Sequence, residues 1–212
     1  DRLTAFEMIA EIGLELVVRH IPDCNDPFAM RHPWYVLLEL TSPRAGDNLR
    51  GNIEAALGDA LDAGEISDAV FAASEAQTAA LWKLREEIPA AQTREGGSIK
   101  HDVSVPVSSA CKFVARASEA VQTEMPGIRV CAFGHMGDGN IHFNLTQPEG
   151  HDKQVFLGRW GAFNTIVHDI VVAMGGSISA EHGIGLVKRD ELGHYASEIE
   201  LEMMRVIKRA FD

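Results

Sequence analysis

The sequence predicts an α+β fold: an antiparallel sheet covered by helices and built from two ferredoxin-like units. Strand and helix patterns follow the order β-α-β and then β-α-β-β-α-β. A Gly-Asp-Gly-Asn at 137–140 sits between two β-rich runs, as a hairpin loop would. A stripe of large apolar residues runs through 153–174 at helical spacing, the face a helix needs to cover a sheet.

The elements are expected in this order. Residues 3–20 place Phe6, Ile9, Ile12 and Leu16 at helical spacing, and Pro22-Asp-Cys-Asn-Asp-Pro27 turns the chain. Residues 34–41 are rich in β-formers; 47–63 read as a helix capped by Asp47 or Asn48; 66–72 form a short apolar run completing a β-α-β. A helix over 75–88 carries Leu81, Leu84 and Ile88 on one face, has Arg85 at the edge of that face, and is stopped by Pro89. Residues 101–105 alternate as a strand, and 108–124 line up Ala110, Val114, Ala117 and Val121 as a helix. Strands follow at 129–135 and 141–146, then a long helix over 153–174 with Phe156, Trp160, Phe163, Val167, Ile170 and Met174 as its buried stripe. A short strand at 177–179 and a helix near 198–211 close the chain.

Composition bounds the function. A chain of 212 residues, 46% hydrophobic and 24% charged, buries a sizeable core without cross-links. No composition shift divides it, so a single domain is expected. A net charge of −12 with no basic cluster excludes nucleic acid as a partner. No apolar run approaches the ~20 residues of a membrane span, and the first residues lack the pattern of a signal peptide. Cys24, Cys111 and Cys131 are odd in number and lack Cys-x-x-Cys spacing, which argues against a disulfide framework or zinc knuckle and for a reducing compartment. The chain starts at Asp1 without Met and stops directly after a helical pattern, so it reads as a piece of a longer protein.

Two imidazoles, His135 and His142, flank the Gly-Asp-Gly-Asn. With 137–140 as the loop, Met136 faces Ile141, His135 faces His142, and Phe133 faces Asn144 on the same side. Opposed residues hold their Cβ atoms about 4.5 to 5.5 Å apart, from which two imidazoles can converge on a divalent ion or simply stack. A second stretch, Gly175-Gly-Ser-Ile-Ser-Ala-Glu-His-Gly-Ile-Gly185, sets Glu181 beside His182 between glycine pairs. Glu181 is the candidate third ligand of an open His₂Glu site. Adjacent residues on a regular strand face opposite ways, so both serve one site only if the glycines bend the chain; the plainer alternative is a solvated loop pair.

The run Gly134-His-Met-Gly-Asp-Gly-Asn-Ile-His-Phe-Asn144, followed by Glu181-His-Gly-Ile-Gly185, resembles the C-terminal domain of FAD-linked oxidases of the vanillyl-alcohol-oxidase type. Within that family the chain is similar to the D-2-hydroxy-acid dehydrogenases, which act on D-lactate, glycolate or D-2-hydroxyglutarate. Leu3-Thr-Ala-Phe-Glu7, Leu81-Trp-Lys-Leu-Arg-Glu86 and Lys100-His-Asp-Val-Ser-Val-Pro106 extend the resemblance over most of the chain. The resemblance implies a divalent metal, Zn or Mn, on His135, His142 and Glu181. It implies substrate carboxylate on Arg85 and Lys100, a substrate hydrogen bond from Asn144, His182 as general base, and Asn140 and His182 facing the flavin. It further implies that FAD is held mainly by an N-terminal FAD-binding domain absent from this chain, with residues 1–212 as the substrate and metal-binding cap. Two cations favour a substrate with two carboxylates, D-2-hydroxyglutarate or D-malate, over D-lactate. Pro89 stands where some dicarboxylate-selective relatives carry a hydroxyl residue, which leaves that choice open.

The implied partners are a small 2-hydroxy acid, the FAD-binding domain and an electron acceptor (quinone, cytochrome or electron-transfer flavoprotein); a homodimer is allowed. The implied location is cytoplasmic, with the intact protein free to be peripheral to a membrane. Two rival classes remain at this point. One is a self-sufficient His₂Glu metalloenzyme, against whose hydrolytic form stands the lack of a His-Glu-x-x-His helix. The other is a non-catalytic, metal-dependent hydroxy-acid-binding module.

Overall fold

A computed structural model describes residues 2–211. Six strands form one open antiparallel sheet, with β1 (Leu3–Ala10), β2 (Trp34–Leu40), β3 (Ser98–Ile99), β4 (Asp102–Ser104), β5 (Arg129–His135) and β6 (Asn140–Thr146). The order is β2-β1-β5-β6-β3, with β4 also paired to β6, so the α+β antiparallel expectation holds and the strands of both expected units share one sheet.

Helices cover both faces. On one side lie α1 (Glu11–His20), α3 (Glu75–Glu86) and α4 (Ile88–Gln92), whose Leu16, Val17, Leu84 and Ile88 pack on Ile9, Cys131 and Phe133 of the sheet. On the other lie α5 (Ala110–Glu124), α6 (Lys153–Leu157) and α7 (Trp160–Ala173), whose Phe113, Phe156, Phe163 and Val167 pack on Ala132, Ile141, Phe143 and Leu145. The two residue sets alternate along β5, and β6 turns Ile141, Phe143 and Leu145 to the second face, as the period of two requires. The Ala110, Val114, Ala117 and Val121 face of α5 is buried as predicted. Outside the sandwich lie α2 (Leu49–Asp62), capped by the Asn48 side chain on the Gly51 N–H, α8 (Arg189–Tyr195) and α9 (Glu198–Phe211). No helix among the described residues is long and apolar enough to cross a membrane.

Five expectations are corrected. The helix predicted over 3–20 begins only at Glu11; the first part is β1, held between β2 and β5. Only its second half, Glu7–Ala10, is buried on both faces and so lacks polar–apolar alternation, and over such a short run helical and strand periods are hard to separate. Residues 66–72 form no strand, and β2 has no outer neighbour among the described residues. The helix predicted over 75–88 ends at Glu86, and Pro89 enters the first turn of α4, where its missing N–H costs nothing. The long helix of 153–174 is two, broken at Gly158-Arg159, which rotates Trp160 off the stripe and leaves it 39% exposed. The strand at 177–179 is reduced to one antiparallel bridge, Ser104 to Ser177.

Candidate metal and substrate site

The β5–β6 hairpin closes through a four-residue turn, Met136 to Gly139, in which Gly139 N–H donates to the His135 carbonyl and Asn140 N–H to Asp138 Oδ1. Gly139 adopts φ +79, and a Cβ there would lie 2.0 Å from the Val105 carbonyl oxygen, so only glycine fits. This turn sets a register two residues away from the predicted one: His135 faces Asn140, Phe133 faces His142, and Cys131 faces Asn144. A slip of two residues keeps every side chain on its face. His135 and His142 are therefore diagonal neighbours instead of opposed ones, with rings edge to face at 6.1 Å between centroids.

The loop after α7 brings the second half of the site. Ser177 exchanges both backbone hydrogen bonds with Ser104, and Lys188 Nζ donates to the Ile178 carbonyl at 2.7 Å. Asp102, the cross-strand partner of His142, is 3% exposed, and its Oδ2 accepts the backbone N–H of Glu181 at 2.9 Å and of His182 at 2.8 Å. Burial pushes the Asp102 carboxyl up, but these two N–H groups, with the nearby His182 and His142, outweigh it and hold the carboxyl below its usual range. Gly183, at φ +69, bends the chain immediately afterwards. One carboxylate oxygen thus grips the backbone at both members of the Glu181–His182 pair.

Glu181 then reaches the hairpin. Its Oε1 lies 3.5 Å from His135 Nε2 and its Oε2 3.4 Å from His142 Nε2, and one ligand atom from each residue falls within 4.8 Å of the others. Ligand atoms about 2.1 Å from a tetrahedral zinc ion sit about 3.4 Å apart, so the donor set fits a divalent cation in type and spacing. His135 Nδ1 is 2.6 Å from Glu7 Oε1, so Nδ1–H donates to that carboxylate and Nε2 is the ring nitrogen that faces Glu181 across the candidate ion position. Burial holds the His142 imidazole below its usual pKa, assisted by Arg85 and His135 and opposed by Asp102 and Glu181.

Arg85 is buried, not at a helix edge: it is 8% exposed, lies 4.7 Å above the Phe133 ring, and donates Nε to Glu7 Oε2 at 2.8 Å. Its two terminal nitrogens carry no protein hydrogen bond among the described residues, leaving one edge of the planar fork for a carboxylate. Asn144 is buried and donates Nδ2 to Gln92 Oε1 at 3.0 Å, while Gln92 donates Nε2 to Thr146 Oγ1 at 2.8 Å, so the carboxamide is fixed in orientation. Lys100 is exposed, without an ion pair among the described residues, and its charge reaches the thiol of Cys131, the partner of Asn144. Asn140 lies buried, whereas the His182 side chain is 68% exposed, with Nδ1 3.5 Å from Asp102 Oδ2. Of the two residues expected to face a flavin, only His182 presents its side chain outward.

Glu7, Gln92 and Asp102 were not singled out from the sequence as functional. The available signals were an acid inside the apolar run Phe6-Glu-Met-Ile-Ala10, an acid inside the strand at 101–105, and a Gln on an otherwise apolar helix turn.

The two signature stretches, brought together in space, agree with comparisons to known proteins. All 212 residues match the family described as FAD linked oxidases, C-terminal domain. The chain is 38% identical over its full length to a D-2-hydroxyglutarate dehydrogenase of Xanthomonas citri pv. viticola, covering 44% of that protein. It is 37% identical to the enzyme of that name from Stutzerimonas stutzeri, over 99% of this chain and 44% of the relative. It is 32% identical to a D-2-hydroxyglutarate–pyruvate transhydrogenase of Saccharomyces cerevisiae, over 99% of this chain and 42% of the relative. The chain spans less than half the length of these curated relatives. With the match running from end to end, the chain belongs to the FAD-linked oxidase C-terminal domain family.

Proposed function

We propose that this chain is the substrate and metal-binding part of an FAD-dependent dehydrogenase that oxidises a D-2-hydroxy acid to its 2-oxo acid, with D-2-hydroxyglutarate first and D-malate and D-lactate behind it. One observation carries the reading: on one face of the β5–β6 hairpin, His135, His142 and Glu181 converge beside a buried arginine with a free edge and an immobilised carboxamide. The names of the similar proteins from Xanthomonas and Stutzerimonas support the substrate class.

His135 Nε2, His142 Nε2 and a Glu181 oxygen would hold the ion, Zn or Mn. When bound, the ion would supply Lewis acidity toward the substrate's hydroxyl and carboxylate oxygens, and the flavin would supply an acceptor for the C2 hydride. Arg85 offers its terminal guanidinium edge to one carboxylate and Lys100 offers a charge to the second. Asn144, held by Gln92, presents its remaining polar atoms to the substrate. His182 removes the hydroxyl proton at Nε2, with Asp102 Oδ2 beside its Nδ1. The exposed rim of His135, Glu181 and His182 is left for the FAD-binding domain to cover, and the electrons pass on to a quinone, cytochrome or electron-transfer flavoprotein. The cytoplasm is the proposed location.

The test is steady-state oxidation of the three acids by the flavin-loaded full-length protein, before and after chelation and after reloading with zinc or manganese. Turnover should vanish on chelation and return with metal, with kcat/KM highest for D-2-hydroxyglutarate. Full turnover by the chelated enzyme would remove the metal from the reaction. Turnover without flavin would point to a self-sufficient metalloenzyme, and metal-dependent binding without turnover to a binding module.

A further inference from the structure

One carboxylate joins the two halves of this site. Glu7 stands directly opposite His135 across the β1–β5 pair, and at 3% exposure it is among the most buried charged groups of the chain. Its two oxygens are divided: Oε1 takes His135 Nδ1 at 2.6 Å, and Oε2 takes Arg85 Nε at 2.8 Å. A carboxylate only accepts hydrogen bonds, so it fixes which ring nitrogen of His135 carries the proton and which edge of Arg85 is spent.

We infer that Glu7 is a positioning residue that locks His135 in its Nδ1–H tautomer, aiming the Nε2 lone pair at the metal position, while orienting Arg85 so that its terminal edge faces substrate. This rests on the metal and substrate reading above, but its first half concerns the metal-free protein. Without Glu7 the His135 ring would be free to protonate at Nε2, which places an N–H where the ion must bind. The β1 strand, remote from both signature motifs in sequence, thereby becomes part of the metal site.

The discriminating variant is Glu7→Gln. An amide in this position has one acceptor and one donor. The Arg85 guanidinium, a permanent cation, claims the amide oxygen, and the amide NH₂ is left facing His135 Nδ1. The ring must then offer a lone pair at Nδ1 and carry its proton on Nε2. Nitrogen-15 shifts of His135, measured in metal-free full-length protein labelled at histidine, read this directly. The wild type should show a protonated Nδ1 and the variant a protonated Nε2, with zinc affinity in the variant lower by roughly 10- to 100-fold in chelator competition. A neutral wild-type His135 that carries its proton on Nε2 and not on Nδ1, or a Glu7→Gln variant with unchanged tautomer and zinc affinity, would overturn the inference. Should the variant not fold, the wild-type tautomer still decides. If the wild type shows the Nδ1–H tautomer yet binds no zinc or manganese, the metal reading falls while the role of Glu7 in setting the tautomer stands.

Discussion

Replacing Asp102 with Asn should detach the Glu181–His182 loop without removing any residue that touches metal or substrate. Asp102 Oδ2 accepts two backbone N–H bonds, at 2.9 and 2.8 Å, in a site where its side chain is 3% exposed. Bonds to a charged acceptor contribute about 1.5 to 3 kcal/mol each and neutral ones about 0.5 to 1.5, so the isosteric amide gives up about 1 kcal/mol per bond and about 2 in all. At 1.36 kcal/mol per decade, that weakens zinc binding by roughly 30-fold if the loop must be seated before Glu181 can ligate. Chelator competition on full-length protein measures the affinity, and hydrogen exchange at the Glu181 and His182 amides measures the seating. Both should move together, with exchange elsewhere in β4 changing less. A zinc affinity within about threefold of wild type, with unchanged protection at the two amides, would refute the idea that this carboxylate holds the loop.

Two further outcomes are expected. Burial pushes the imidazoles of His101 and His168 down to about 4. The unfolded chain therefore takes up protons that the folded one refuses: stability is full above the ordinary value of about 6.5, falls as the pH drops toward 4, and loses about 2 kcal/mol per histidine by pH 5. In His168→Phe, the difference in unfolding free energy between pH 7 and pH 5 should shrink by about that amount, and an unchanged difference would sink the account. Gln92→Leu should strand the Asn144 and Thr146 side chains that Gln92 now joins, costing about 2 to 4 kcal/mol in denaturant unfolding and raising KM for the hydroxy acid more than it lowers kcat; wild-type stability would show that the buried network contributes nothing.

Much of the fold was legible because its signals are local. Helix α5 shows its face in Ala110, Val114, Ala117 and Val121, and β5 and β6 announce themselves by a glycine-rich turn between β-formers. The misreadings arose where long-range pairing decides. Residues 3 to 10 carry apolar groups compatible with either period, and only the presence of β2 and β5 on both sides makes them a strand. The hairpin register failed for a smaller reason: an aspartate two residues before Asn140 captures its N–H and moves the turn by one residue. The slip of two positions left the facial assignment of both histidines intact, so His135 and His142 still stand on one face within reach of Glu181.

The same physics separates the site residues that could be read from those that could not. His135, His142, Glu181 and His182 lie in two short glycine-containing stretches, because a cluster of lone pairs needs sharp turns to bring it together, and sharp turns leave a mark in sequence. The residues that orient them leave none. Glu7 reaches His135 across 128 positions and Asp102 reaches the Glu181 and His182 amides across 79 and 80. Each is a single acid in an apolar strand, where it looks like an exposed alternating position until the sheet is assembled around it. Their burial is informative for that reason: a carboxylate is costly to desolvate, and each of these accepts its bonds from groups of the candidate site, His135 and Arg85 for Glu7 and the Glu181 and His182 amides for Asp102. Arg85 belongs with them. Alone on α3 it reads as a helix-edge cation, yet with Glu7 across the sheet layer and Phe133 beneath, its charge is both compensated and aimed. The site is thus held by three buried contacts running from β1 to α3, from β4 to the Glu181–His182 loop, and from α4 to β6, and each crosses between elements that share no sequence neighbourhood.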